Sequence, residues 1–148
     1  MRISKRCQYA LRAVFELAWR NPGEPIKTHT IARAQGMSPR FTEIILNDLK
    51  HAGFVESQRG KEGGYMLARD AKDLTVGEVI EYVQGPIVLV PEAPQTRSQA
   101  TFSGSQAFRE FWKEVSSAVS RVCQTRTFAD LVALEETQRE QCVPNYAI

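Results

Sequence analysis

The sequence predicts a mainly α-helical fold with one small β-hairpin and a long helix toward the C-terminus. Three observations carry this reading. Apolar residues recur at helical spacing near the start of the chain and again over about 107–123. Two short runs, FVESQR and YMLAR, flank a glycine-rich RGKEGGY. Stop signals (NPGEP at 21–25, Gly36, Gly53 and Gly85-Pro86) cut the remainder into helix-sized pieces. The chain has 148 residues, about one domain, and at 43% apolar it can form a core.

Each element has a local cause. Ser4 can cap a helix to about Arg20, whose positions Cys7, Ala10, Ala13, Val14, Leu17 and Ala18 form one apolar face. A short helix near Thr28–Gln35 follows, with Ile31, Ala32 and Ala34 as apolar positions, and Gly36 suits its left-handed end. Ser38 and Pro39 then supply an N-cap and a first helical position that needs no donor. That helix extends to about Ala52, with Phe41, Ile45, Leu49 and Ala52 as its buried face. After the hairpin, Thr75-Val-Gly-Glu78 is a capping box opening a helix toward Gln84. Phe108, Phe111, Trp112, Val115, Val119 and Val122 mark the long amphipathic helix, and Thr127 caps a last short one through Leu134. The tail to Ile148 has no clear period.

The net charge of +2 conceals a division: residues 1–72 carry +6 and residues 73–148 carry −4. A basic half joined to an acidic half suggests a part that faces nucleic acid and a part with another task. No run of about 18 apolar residues occurs, so no transmembrane helix is expected. Arg12 and Glu16 interrupt the N-terminal apolar stretch, which argues against a secretory signal and for a cytoplasmic protein. Cys7, Cys123 and Cys142 lack the spacing of a disulfide framework or a zinc site, so no metal is expected.

A short helix, a tight turn and a second capped helix, followed at once by a hairpin, make a winged helix-turn-helix over residues 1–84. The helix-turn-helix covers about 28–52 and the wing about 54–69. An α-helix fits the major groove of B-DNA, and its N-terminal residues reach base edges. Arg40, Glu43 and Asn47 share the solvent face of the second helix. They can read guanine, cytosine and adenine respectively, each good bidentate pair contributing ~1–3 kcal/mol of discrimination. Thr28, Ser38 and Pro39 stand at helix N-termini, where free N–H groups suit phosphate. In the wing, Arg59 suits the minor groove and Lys61 phosphate, while Gly60 lets backbone approach closely; Arg2 and Lys5 add a basic N-terminus.

With those residues in place, the chain resembles the bacterial winged-helix transcriptional regulators typified by IscR, NsrR and CymR. The shared stretches are YALRA at 9–13, Ile31 to Glu43, the run from Leu49 to Gly60, GGYMLAR at 63–69, LTVGEVI at 74–80 with the following QGPI, and the late WKEV…TFADLV. The resemblance implies a homodimer on imperfect palindromic promoter sites in double-stranded DNA, paired through the long helix at Phe108, Phe111, Trp112, Val115, Val119 and Val122. It implies DNA contact at Ser38, Arg40, Glu43 and Arg59. It also implies that relatives which sense with an iron–sulfur cluster hold it on three close cysteines between QGPI and the long helix. Here residues 85–106, which include PEAPQTRSQATFSGSQ, contain no cysteine and no histidine.

The sequence therefore reads as a DNA-binding regulator without a cluster, with 85–106 a connector at the sensor position whose stretch 91–106 is expected to be mobile in the free protein, 107–134 dimerisation helices and 135–148 a tail. One alternative is a redox or cluster sensor that uses Cys7, Cys123 or Cys142. Another is an interaction module whose winged helix binds a protein partner rather than DNA; for the regulator itself, a protein or small-molecule effector stays open. No nucleophile–base set speaks for an enzyme.

Overall fold

The computed structural model describes residues 3–20, 23–89 and 105–142. Most of the connector and the last six residues, and with them the reading of 91–104 as mobile, lie outside this set, as does Arg2.

Ser4 starts the first helix as its chemistry predicts: its hydroxyl accepts from the Cys7 N–H at 3.1 Å. Helix α1 runs Lys5–Arg20 and buries all six of the expected apolar residues, together with Glu16. It is the central strut, packing against four of the other helices and the second strand of the hairpin. Helix α2 spans Thr28–Gln35 and buries Ile31 and Ala32, while Ala34 faces solvent. Helix α3 spans Pro39–His51 with Ser38 as N-cap, its oxygen accepting from the Phe41 N–H at 3.4 Å. Its buried face is turned from the expected one. Thr42, Ile45, Leu46 and Leu49 are buried, and Phe41 and Ala52 only half so. Thr42 tolerates burial because its hydroxyl donates to the Ser38 carbonyl at 2.9 Å.

Strands β1 (Val55–Gln58) and β2 (Gly64–Leu67) pair antiparallel, Val55 opposite Leu67 and Gln58 opposite Gly64. Ile26 adds an isolated bridge on the far side of β2, exchanging two backbone hydrogen bonds of 2.8 Å with Tyr65. A single 3₁₀ turn at Ala71–Asp73, capped by Asp70, leads to helix α4 at Val76–Gln84. Both arms of the Thr75–Glu78 capping box are formed.

Helix α5 runs Ser105–Thr125, 21 residues, longer at both ends than its apolar stripe suggests. Helix α6 then runs Phe128–Cys142, well past Leu134, so residues 135–142 continue a helix rather than begin a tail. Two backbone bonds stitch this junction to the start of α4: Val76 N–H to Arg126 O at 2.9 Å and Phe128 N–H to Leu74 O at 3.0 Å. Phe128 is fully buried in the main core beside Leu74 and Val79, and burial of a phenylalanine contributes about 1.5–3 kcal/mol. Farther along α6, the Arg139 guanidinium covers the Trp19 ring of α1 at 4.6 Å.

A smaller apolar cluster lies between α1, α4 and α5. Cys7, Ile80 and Ile87 are buried there, with Val83, Val119 and Cys123 packed against them. Burial pushes both the Cys7 and the Cys123 thiols up from their ordinary range, which favours the neutral form.

Helix α5 can cross α4 this closely because residue 77 is glycine. A Cβ there would stand 3.0 Å from both the Cys123 carbonyl carbon and the Gln124 nitrogen. Those are backbone atoms with little freedom to retreat. Gly77→Ala is expected to cost about 1–3 kcal/mol, the usual range for overpacking. Denaturant titration should show a lower midpoint at an unchanged slope.

Candidate nucleic-acid interface

The turn between α2 and α3 is set by Gly36, at φ 61° and ψ 38°, a left-handed conformation that favours glycine. Its N–H donates to Arg33 O at 3.3 Å, and the next N–H, of Met37, donates to Ala32 O at 2.8 Å. Side chains from α1 brace the same turn. Gln35 Nε2 donates to the buried Glu16 at 2.7 Å, Arg20 donates to the other Glu16 oxygen, and Arg12 donates to the Gln35 carbonyl. At the far end of α3, Arg6 bridges Asp48 at 2.6 Å. Helix α3 is thus anchored at its start through the turn and at its end through α1.

The wing closes against these helix starts. The Ile26–Tyr65 backbone pair places Lys27, Thr28 and the N-terminus of α2 beside the hairpin. Gly64 permits the approach, since a Cβ on it would lie 2.5 Å from the Ile26 oxygen. The result is an open groove of about 580 Å³ between the N-termini of α2 and α3 and the wing tip. Thr28, Pro39, Arg40, Glu43, Gly60 and Lys61, six of the residues singled out from sequence, line it together. Lys27 and His29 line it too; neither was marked in the sequence, because only the Ile26 bridge brings them there. No side chain caps α2, so its first N–H groups have no capping acceptor. Lysine, histidine, arginine and free amide donors around a groove favour an anion, and Glu43 is the one carboxylate among the lining residues.

The other marked residues are distributed differently. Asn47 lies one turn along, in a second shallow recess with Arg40, Glu43, Ile44 and Tyr65. Burial first, and then the nearby Glu43 carboxylate, push the Tyr65 hydroxyl above its ordinary range, so it remains a donor. Ser38 is exposed and uses its oxygen as the α3 cap. Arg59 is exposed on the wing but does not line the groove, and Lys5 is exposed at the start of α1, away from both recesses.

On α5, Phe108, Phe111, Trp112 and Val122 are 64, 51, 40 and 58% exposed. Val115 is half-buried, and Val119 packs into the small cluster against α4. The N-terminal half of the stripe is therefore open and its C-terminal half partly used within the chain. Among the described residues, no three His, Cys, Asp or Glu side chains converge as a metal would require. The Cys142 side chain lies outside the described set.

Comparison with known proteins agrees with this geometry. The family described as "Rrf2: Iron-dependent Transcriptional regulator" matches residues 3–134. The HTH-type transcriptional regulator CymR of Bacillus subtilis (strain 168) is 31% identical over 144 residues, covering 95% of this chain and 96% of its own. The solved structure of CymR (YrzC), the global cysteine regulator of B. subtilis, superposes with a TM-score of 0.79 at 30% identity, over 90% of this chain and 98% of that one. The solved structure of IscR from T. potens gives 0.74 at 28% identity, over 99% and 95%.

Proposed function

The chain belongs to the Rrf2 family of DNA-binding transcriptional regulators, and from that premise we propose that it acts as a homodimer on palindromic promoter sites, without a resident iron–sulfur cluster. The observation that carries the DNA-reading site is the single groove uniting the start of α3 with the wing tip. A duplex seated there receives α3 in its major groove, with Arg40 and Glu43 toward base edges. Lys27, Lys61 and the α2 N-terminus meet phosphate, and Arg59 is left free for the adjacent minor groove.

The pairing surface is the open half of α5. Phe108, Phe111 and Trp112 are large and clustered, Phe111 and Trp112 meeting edge-to-face at 5.0 Å. Adjacent exposed aromatics of this kind mark an association surface. A second copy laid against them carries its own reading head, which is the arrangement a palindrome requires.

The family description includes iron, and the donor chemistry here does not fit a thiolate-held cluster. Such a cluster needs three or four converging sulfur or nitrogen ligands. Residues 85–106 contain neither cysteine nor histidine, and Cys7 and Cys123 are packed among apolar side chains with their thiolate forms disfavoured. The same burial speaks against those two thiols as fast redox sensors. No helix among the described residues is long and apolar enough to cross a membrane, in keeping with action in the cytoplasm.

Selection of duplexes from a random library should return an inverted repeat; a pool without symmetry overturns the palindromic reading. On the selected site, Arg40→Ala is expected to narrow the gap between specific and scrambled duplexes by ~1–3 kcal/mol. Lys61→Ala should instead weaken both about equally and reduce the salt slope by ~1, as read from titrations at several salt concentrations. For the pairing surface, Phe111→Asp should sediment as a monomer in ultracentrifugation, and an unchanged dimer excludes this interface.

A further inference from the structure

One side chain on the reading face of α3 is chemically unlike its neighbours. Ile44 is 50% exposed, while the other aliphatic residues of the helix, Ile45, Leu46 and Leu49, are at most 2% exposed. A lone exposed isoleucine is ordinary on a protein surface. Its position here is not. Ile44 stands four residues after Arg40 and three before Asn47, spacings that place all three on one helical face. With Glu43 and Tyr65 these residues enclose the shallow recess of about 370 Å³ beside the main groove. Ile44 is therefore the apolar member of a set otherwise made of hydrogen-bonding groups.

We infer that Ile44 is a specificity-determining residue that reads the 5-methyl group of a thymine. The inference rests on the reading of α3 as the helix that enters the major groove. In that groove the thymine methyl is the apolar feature of the base edges; every other distinguishing group is a donor or an acceptor. An isoleucine can satisfy none of the latter, and covering a cytosine amino group would strip it of water without replacing the bond. Isoleucine is also β-branched and held to essentially one χ1 rotamer in a helix, so its methyls are pre-positioned at little entropic cost. A thymine beneath Ile44, beside the bases that Arg40 and Glu43 contact, gives the half-site an apolar position next to polar ones.

The test removes only the methyl. In the site obtained by library selection, each thymine is replaced singly by 2′-deoxyuridine, which keeps both hydrogen-bonding edges. At one thymine per half-site the unaltered protein should bind about fourfold more weakly, the effect of one buried methyl-sized group. Ile44→Ala should bind the thymine and deoxyuridine versions of that position equally, with Arg40-dependent discrimination intact. The inference is overturned if no thymine is sensitive in the unaltered protein, or if the same sensitivity persists in Ile44→Ala. The deoxyuridine scan on the unaltered protein decides the first point however well the variant folds. A library that returns no preferred duplex overturns the DNA-reading assignment of α3 itself, a different outcome from a selected site indifferent to its methyls.

Discussion

Two backbone hydrogen bonds between Ile26 and Tyr65, each 2.8 Å, hold the candidate interface in one piece. They join the segment leading into α2 to the second strand of the wing, two parts of the chain separated by nearly forty residues. Everything on the groove side follows from this pair. It sets the distance from the wing tip to the helix starts and brings Lys27 and His29 into the same wall as Lys61. It also explains the glycine at 64, where any Cβ would collide with the Ile26 carbonyl. Backbone bonds suit this task, because they fix spacing with little dependence on side-chain rotamers.

The junction of α5 and α6 is organised by a second stitch, from Leu74 and Val76 to Arg126 and Phe128. It turns α6 back over α1 and buries Phe128 completely. Helix α6 therefore contributes to the core of the winged domain, while the exposed aromatic surface belongs to α5. The region after the connector thus divides, α5 carrying the exposed aromatic face and the start of α6 closing the core.

Much of this organisation can be read along the chain. Ser4, Gly36, Ser38-Pro39, Thr75–Glu78 and Thr127 act within a few residues of themselves, and each does in the structure what its local chemistry implies. The differences share a cause in contacts distant in sequence. The length of α6 is hidden because its buried residues crowd its first turns, after which EETQREQ offers no stripe. Glu16 reads as a solvated charge, yet it is buried because Arg20 and Gln35 satisfy it from either side. Lys27 and His29 join the groove through the Ile26 bridge, and Tyr65 of the wing shares a recess with Glu43 of α3. Ile44 carried a legible signal, an aliphatic residue beside Glu43 on the polar face of α3. Its weight appears only when exposure shows that the core does not claim it.

Gly77 has a mechanical consequence. Helix α5 has 21 residues, about 30 Å at the usual rise, and it is held near its C-terminal end against α4 where residue 77 has no side chain. The exposed aromatics sit toward the other end. The helix is therefore a lever with its fulcrum at the glycine, and angular error there is magnified along its length. A tilt of about 6° would carry the far end about 3 Å, close to the axial step between neighbouring base pairs. In a paired assembly, the crossing angle permitted at one missing methyl would tune how far apart two reading heads fall along a duplex.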